Sequence, residues 1–470
     1  MKKILLLLIA LIGVLVMVGC GETDFTGKPI VPPYDLPATA NYDGSAVTIK
    51  FWHRMGNTGT NNVDHYITEF NKIYPNITVI QEKPAADYDN LANAIALAIP
   101  AGGEPHISES YPDHIARYAQ AEAPLPLNSF ISNPNIGLSA SEIADFLPGL
   151  WKEGLSYDNY GSFMSMPFTK SSEALFYNKT FFDLHGFSVP ETWEELFALC
   201  AQIKALPGWD NKTMIPFQYD SDDNLFITAS EQWGAPYTGF DEDGNGAVLF
   251  KNDESKKMVK YFHDKVQLGY MGTRRLTGDY GSTFMKQDKM VMAVGSTGGT
   301  QYNIPDDNHY EVGIAPLPHF QGKEARQIQQ GPNLNLFKKN NVQEMIASWL
   351  FVKFMLLPEN TALFAINSGY IPVRDSAFET TTYTDWASAI TTSKPTTAAQ
   401  AKDKLIKEAF EMFRNTGDRL FTSVVFALSS KCRSVAGTLL YEILSSDLTG
   451  ADLDQYIDNK YTEHYLYVLS

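Results

Sequence analysis

Residues 47–52 read Val47-Thr48-Ile49-Lys50-Phe51-Trp52, and this stretch with the fifty residues after it decides the fold. Val47, Ile49 and Phe51 alternate with Thr48, Lys50 and Trp52, the period-two pattern of a strand. Tyr66, Ile67, Phe70, Ile73 and Tyr74 then recur at three- and four-residue spacing, as on one face of a helix, and Pro75 stops it. Ile77-Thr78-Val79-Ile80 reads as a second strand. A second helix places Tyr88, Leu91, Ala92, Ile95 and Ile99 on one face and ends at Pro100-Ala101-Gly102-Gly103. Strand, helix, strand, helix at this spacing predicts a parallel sheet covered by helices.

The same style continues downstream. Thr192 stands three residues before Glu195, a capping box for a helix through Ile203. Asn341 and Glu344 are placed to start a helix carrying Ile346, Trp349, Leu350 and Phe354, which Pro358 ends. The C-terminal third is helical apart from a Thr-rich loop near 380–397, and no fixed-period repeat is present. The 470 residues exceed what one sheet organises. No interdomain linker follows residue 45, so two α/β lobes joined by crossings within ordered structure are expected.

Upstream, Lys2 and Lys3 precede an apolar run from Ile4 to Val18, a length typical of a signal peptide and short for a membrane span. The run ends at Val18-Gly19-Cys20, which resembles the lipobox of bacterial lipoproteins, with Met17 where Leu is usual. A diacylated Cys20 would anchor a soluble domain, since each buried methylene contributes about 0.8 kcal/mol. Pro29, Pro32, Pro33 and Pro37 without periodicity read as a tether.

Composition excludes several classes. With 37 Lys plus Arg against 54 Asp plus Glu the chain carries −17, a poor partner for nucleic acid or an anionic membrane surface. Three cysteines exclude a disulfide scaffold and a four-cysteine metal site. Cys200 and Cys432 are either two buried thiols or a pair oxidised on export. There is no P-loop, C-x-x-C or H-E-x-x-H, and no cofactor or metal is expected. Asp241-x-Asp243-x-Asn245-Gly246 matches half of a calcium loop, but its twelfth position is Asn252, and an Asp/Gly-rich hairpin turn explains it without metal.

Five segments together carry a family resemblance: Phe70-Asn71-Lys72-Ile73-Tyr74-Pro75-Asn76-Ile77; Met166-Pro167-Phe168 leading to Ala174-Leu175-Phe176-Tyr177-Asn178-Lys179; Gly186-Phe187 with Pro190-Glu191-Thr192-Trp193; Val312-Gly313-Ile314-Ala315-Pro316-Leu317-Pro318; and Gly369-Tyr370-Ile371-Pro372-Val373-Arg374. In this order the chain resembles the family 1 extracellular solute-binding proteins of ABC importers. The resemblance implies a two-lobe periplasmic-binding-protein fold of type II, each lobe a mainly parallel sheet flanked by helices, with a ligand cleft between lobes. It also implies a permease partner, no enzymatic activity, an exported location facing the periplasm or cell exterior, and a monomer. The expected division is 1–19 signal peptide, 20–44 flexible tether, 45–168 with 293–335 as lobe I, and 169–292 with 336–470 as lobe II.

Within the family the chain looks most like sn-glycerol-3-phosphate-binding proteins, through Phe51-Trp52-His53, Pro167-Phe168-Thr169-Lys170-Ser171-Ser172 and Arg433 before an apolar helix. That likeness implies ligand contacts at Tyr88, Ser171, Ser296, Gly331, Tyr370 and Arg433. The chemistry suits an anion: a guanidinium fork, hydroxyl donors and an amide without a side chain in its way. Gly295 is the rival alignment for Ser296. Where the subfamily has Tyr-Glu this chain has Tyr111-Pro112-Asp113, so either Asp113 grips the polyol one position on or that contact is lost. Gln330 replaces a second glycine. Trp52, His53, Trp193 and Trp233 are candidate walls for a polyol or sugar ring. Glycerol-3-phosphate or a glycerophosphodiester is the first ligand choice, and a mono- or oligosaccharide the alternative. An exported carbohydrate-active enzyme, which needs two facing carboxylates, and an adhesin are the remote readings.

Overall fold

The computed structural model describes residues 28–390 and 394–470; the signal segment and Cys20 lie outside them. Its strands, in chain order, are β1 (Val47–Trp52), β2 (Ile77–Glu82), β3 (Ile107–Ser110), β4 (Met166–Pro167), β5 (Ser171–Asn178), β6 (Phe217–Tyr219), β7 (Thr238–Phe240), β8 (Gly246–Val248), β9 (Met271–Thr273), β10 (Met292–Ser296), β11 (Val312–Ala315), β12 (Gln327–Gln330), β13 (Asn333–Leu336) and β14 (Leu420–Phe421).

They form two main sheets. The first runs β2-β1-β3-β13-β4; the second runs β14-β12-β5-β10-β6-β9, with β11 also on β5. The opening stretch folds as its periodicity dictates. β1 pairs parallel with β2 and β3, and the helix Asn57–Ile73 buries Val63, Tyr66 and Phe70 against the sheet. β5 and β13 arrive directly from the other lobe rather than through a helical crossover. They run antiparallel to their neighbours, which makes both sheets mixed.

Each sheet has its own core. The first gathers Ile49, Phe51, Phe70, Leu334, Trp349, Phe351 and Phe364; the second gathers Trp193, Phe217, Phe262, Met292, Leu439 and Tyr461. These memberships correct the expected division of the chain. β10, β11 and β12 pair in the second sheet, so 293–330 belongs to lobe II. The helices Val342–Met355 and Pro358–Ser368 pack in the first core, so the chain returns to lobe I after residue 331 and leaves it again before β14. A strand's sheet is set by its non-local partner, which local pattern does not reveal.

The expected tether is also corrected over its described part. Val31 and Leu36 are buried, the Tyr34 ring stacks on Phe130, and the amide of Ile30 donates to Asp158. Asn133 and Asn135 donate to the carbonyls of Pro37, Ala38 and Ala40. Prolines hold this stretch extended with its carbonyls free, so lobe I binds it as a strap. Cys200 and Cys432 are separate buried thiols in the second core, and burial pushes Cys432 up to about 12. The segment 241–245 forms the β7–β8 hairpin turn, with Asp241 accepting from the amides of Asp243 and Asn245. No single helix among the described residues is long and apolar enough to cross a membrane.

Candidate functional site

Where the two lobes face each other they enclose two chambers. The smaller, of about 480 Å³, is lined by Tyr88, Tyr111, Asp113, Gly331 and Arg433 among others. The larger, of about 1010 Å³, is lined by Gly295, Ser296, Gly298 and Tyr370 and by the acidic side chains Glu173, Asp220 and Asp222. Asp223, Arg275 and Gln330 line both. Residues from lobe I, from lobe II and from the crossing at Gly331 therefore meet in one cleft.

Helix starts aim the first-lobe wall. Asp87 caps the helix Tyr88–Ala98 by accepting from the amide of Asn90 at 2.8 Å, which puts Tyr88 in the first turn. Tyr111 precedes Pro112, the first residue of the next helix, and meets the Tyr88 ring edge-on at 4.9 Å. The Arg54 guanidinium lies 4.4 Å from the centre of the Tyr88 ring. Gly369, with φ +80°, ends the helix Pro358–Ser368 and turns Tyr370 toward the cleft. The Tyr370 ring lies so near Gly298 of lobe II that a Cβ there would come within 2.9 Å of it. Burial, reinforced by Glu109, holds the phenols of Tyr88 and Tyr370 above the ordinary range, so both remain O–H donors.

Behind this wall, in β3, lies the carboxylate of Glu109. It is 1% exposed, accepts from the Arg54 amide at 3.1 Å and Thr169 Oγ1 at 3.0 Å, and lies 3.5 Å from the Tyr88 hydroxyl. Burial raises its pKa against those hydrogen bonds. Asp113, the acid the sequence offered for a polyol contact, lines the smaller chamber, whereas Glu109 lies behind Tyr88 and was not anticipated. A glutamate two residues after Ile107, on the inward alternation of a short strand, was the available signal.

The second-lobe wall carries charge. Arg433, on the helix Ser429–Leu444, pairs through Nε with Asp223 Oδ2 at 2.9 Å, and a terminal nitrogen donates to Asn224 Oδ1. Asn224 donates in turn to Glu173 Oε1 at 2.8 Å, and the Tyr219 hydroxyl donates to Glu173 Oε2. Some 35% of the Arg433 side chain stays open to the cleft. Burial opposes its charge, but Asp223 and Asp113 outweigh this and raise its pKa. Burial lifts Glu173 to about 7 and Asp220 to about 6. Ser296 ends β10 and donates to Ser171 Oγ at 3.3 Å; Ser171 is buried beneath it. Sequence reasoning also missed Arg54, Asp223 and Arg275.

The aromatic walls expected from Trp52, His53, Trp193 and Trp233 are not in the cleft. Trp193 is fully buried in the second core, with its indole N–H on Gln232 at 2.8 Å. Trp233 packs on Phe320 and donates to Glu254. His53 is 1% exposed and spends both ring nitrogens on Gln81 and the Met55 amide. Trp52 packs beside Leu91 and Ile95 and donates to Glu82. Large flat side chains bury well, and here tyrosines line the cleft instead. No cluster of three metal-ligating side chains occurs among the described residues.

Residues 65–391 match the bacterial extracellular solute-binding protein family. The chain belongs to that family. The sn-glycerol-3-phosphate-binding periplasmic protein UgpB of Salmonella typhimurium is 24% identical over 354 residues, covering 72% of this chain and 76% of that protein. UgpB from Mycobacterium tuberculosis, solved in complex with glycerophosphocholine, superposes with a TM-score of 0.67 at 17% identity over 90% of this chain and 98% of that one. The cyclic α-maltosyl-1,6-maltose binding protein from Arthrobacter globiformis gives 0.68 at 18% identity, covering 89% and 100%. The fold is thus that of the two-lobe solute-binding proteins, and the protein is a substrate-binding component of an ABC importer.

Proposed function

We propose that this solute-binding protein captures glycerol-3-phosphate or a glycerophosphodiester between its lobes and delivers it to a permease. The observation that carries this reading is Arg433: a guanidinium with one face held by Asp223 and Asn224 and the rest open to a chamber walled by Tyr88 and Tyr111. A held, half-open guanidinium suits a phosphate oxygen. Glu109 stands behind Tyr88 to orient its phenol toward polyol hydroxyls. The named ligands of the two UgpB relatives support the same class.

On this reading Tyr88, Tyr111, Asp113, Gly331 and Arg433 contact the ligand from one chamber, and Ser296 and Tyr370 from the other, with Ser171 supporting Ser296. Cys20 carries the lipid that holds the exported, monomeric, non-enzymatic protein at a membrane. Isothermal titration with glycerol-3-phosphate, glycerophosphocholine, glycerol and a neutral disaccharide tests it. Binding of the first two but not the last is the expected result.

One observation favours a sugar instead. The larger chamber exceeds what glycerol-3-phosphate fills, and its Asp220, Asp222 and Glu173 are acceptors suited to hydroxyls. Preference for the disaccharide in the same titration, unaffected by Arg433→Ala, would replace the phosphate reading with this one.

A further inference from the structure

Two of the segments that join the lobes lie against each other. One is 168–170, between β4 and β5; the other is 331–332, between β12 and β13. Gly331 has φ +95°, and a Cβ there would sit 1.9 Å from the Thr169 carbonyl oxygen. The Thr169 amide donates to the Pro332 carbonyl at 3.2 Å.

Lys170 lies at this contact with no exposed surface. Its Nζ donates to Glu153 Oε2 at 2.5 Å, to the Gly331 carbonyl at 2.7 Å and to Asn333 Oδ1 at 3.1 Å. All three ammonium hydrogens are used. Its own carbonyl accepts from the Ile371 amide at 2.9 Å, next to Tyr370. Glu153 ends the helix Pro148–Glu153 and, with Gly331, lines the smaller chamber. One residue thus touches both crossings, the first lobe and the ligand wall. For stability alone this is a poor arrangement, because a well-packed apolar pair in place of a buried ion pair is often as stable or more so.

We propose that Lys170 is the positioning residue of the hinge. Held by Glu153, it ties the Gly331 carbonyl to the first crossing, so that both crossings turn as one body when the lobes close and Gly331 keeps its place on the ligand wall. Burial lowers the pKa of Lys170 and the Glu153 carboxylate opposes that shift, so the two groups depend on each other. The inference rests on the two-lobe hinge and on no particular ligand.

The test is an interlobe distance measured without ligand. Leu97, in the helix Tyr88–Ala98 of lobe I, and Leu184, in the helix Lys179–His185 of lobe II, are 81% and 77% exposed. Nitroxide labels on Leu97→Cys and Leu184→Cys, in a Cys20→Ser background, report the spread of lobe positions by pulsed electron resonance. Cys200 and Cys432 are buried away from the label. In Glu153→Gln and Lys170→Met the distance distribution should widen about two-fold, as expected when a hinge gains freedom.

The double variant Lys170→Met/Glu153→Leu separates positioning from packing. It should recover the melting temperature yet keep the broad distribution and bind glycerol-3-phosphate about tenfold more weakly. A folded double variant with the native distribution would overturn the inference. So would loss of folding in all three variants, which would make the pair a stabilising element only. A wild type that ignores glycerol-3-phosphate would remove the ligand reading and leave the distance measurement intact.

Discussion

On the lobe I wall Tyr88 packs edge-on against Tyr111 and against Arg54, and Tyr370 stacks on Phe364, over a carboxylate sealed from water. On the lobe II wall the Arg433–Asp223 ion pair continues through hydrogen bonds to Asn224 and Glu173, with an open end at the guanidinium. The first wall sets phenols in a fixed shape beside Asp87, Asp89 and Asp113 and, among the described residues, has no lysine or arginine on the chamber surface. The second holds charge that a ligand can share. On the proposed reading the phenols give such a cleft its form and the guanidinium its cation. Most of the binding energy should therefore be lost when the charged side is cut.

The largest effect is expected from Arg433→Ala. Removing one partner of a shielded charge pair costs about 2–5 kcal/mol, or roughly 30- to 5000-fold in affinity for glycerol-3-phosphate. Arg433→Lys should recover part of this, lacking the planar fork. Titration calorimetry reads both, and equal affinity in wild type and Arg433→Ala would erase the contrast between the walls.

The second prediction concerns pH. Glu173 titrates at about 7 in the folded chain, above its unfolded value, so it is protonated in the fold where the unfolded chain has lost its proton. Its share of stability is present below about pH 4.5 and declines as pH rises to about 7, by roughly 3–4 kcal/mol in all. Melting temperature should fall over that window, and Glu173→Gln should flatten the fall. A profile identical in the variant would place the titrating group elsewhere.

Smaller changes fall on the lobe I wall. Tyr88→Phe keeps the ring and loses one hydroxyl, at a cost of about 0.5–1.5 kcal/mol of binding. A loss matching that of Arg433→Ala would show that phenols, not charge, dominate. The smallest change is expected from Trp233→Ala, which should leave affinity within about two-fold because the residue lies away from both chambers.

The contrast between walls was only partly legible in the chain. Strands and helices were, where the signal is local: Val47 to Phe51 alternate, Pro75 stops its helix, and Thr192 with Glu195 forms the capping box read from their spacing. The residues taken from family likeness, Tyr88, Gly331, Tyr370 and Arg433, do line the cleft. The sheet that holds β10 to β12 was not legible, because pairing with β5 spans more than a hundred residues. Glu109 escaped notice because a lone inward carboxylate on a short strand looks like any buried polar residue until Tyr88 and Thr169 are seen beside it. The tryptophans misled for the opposite reason: their chemistry suits a ring-binding wall, but core packing claims them first.

The proline-rich strap has a mechanical consequence. From Ile30 to Asn41 it is fastened to lobe I at Asp158, Ser129, Asn133, Asn135 and Gln343. Any pull arriving through the N-terminus would therefore enter mainly through that lobe. Were the chain held by the proposed lipid, the lobe carrying Tyr88, Tyr111 and Tyr370 would be the one held, and the lobe carrying Arg433 the one left free to turn.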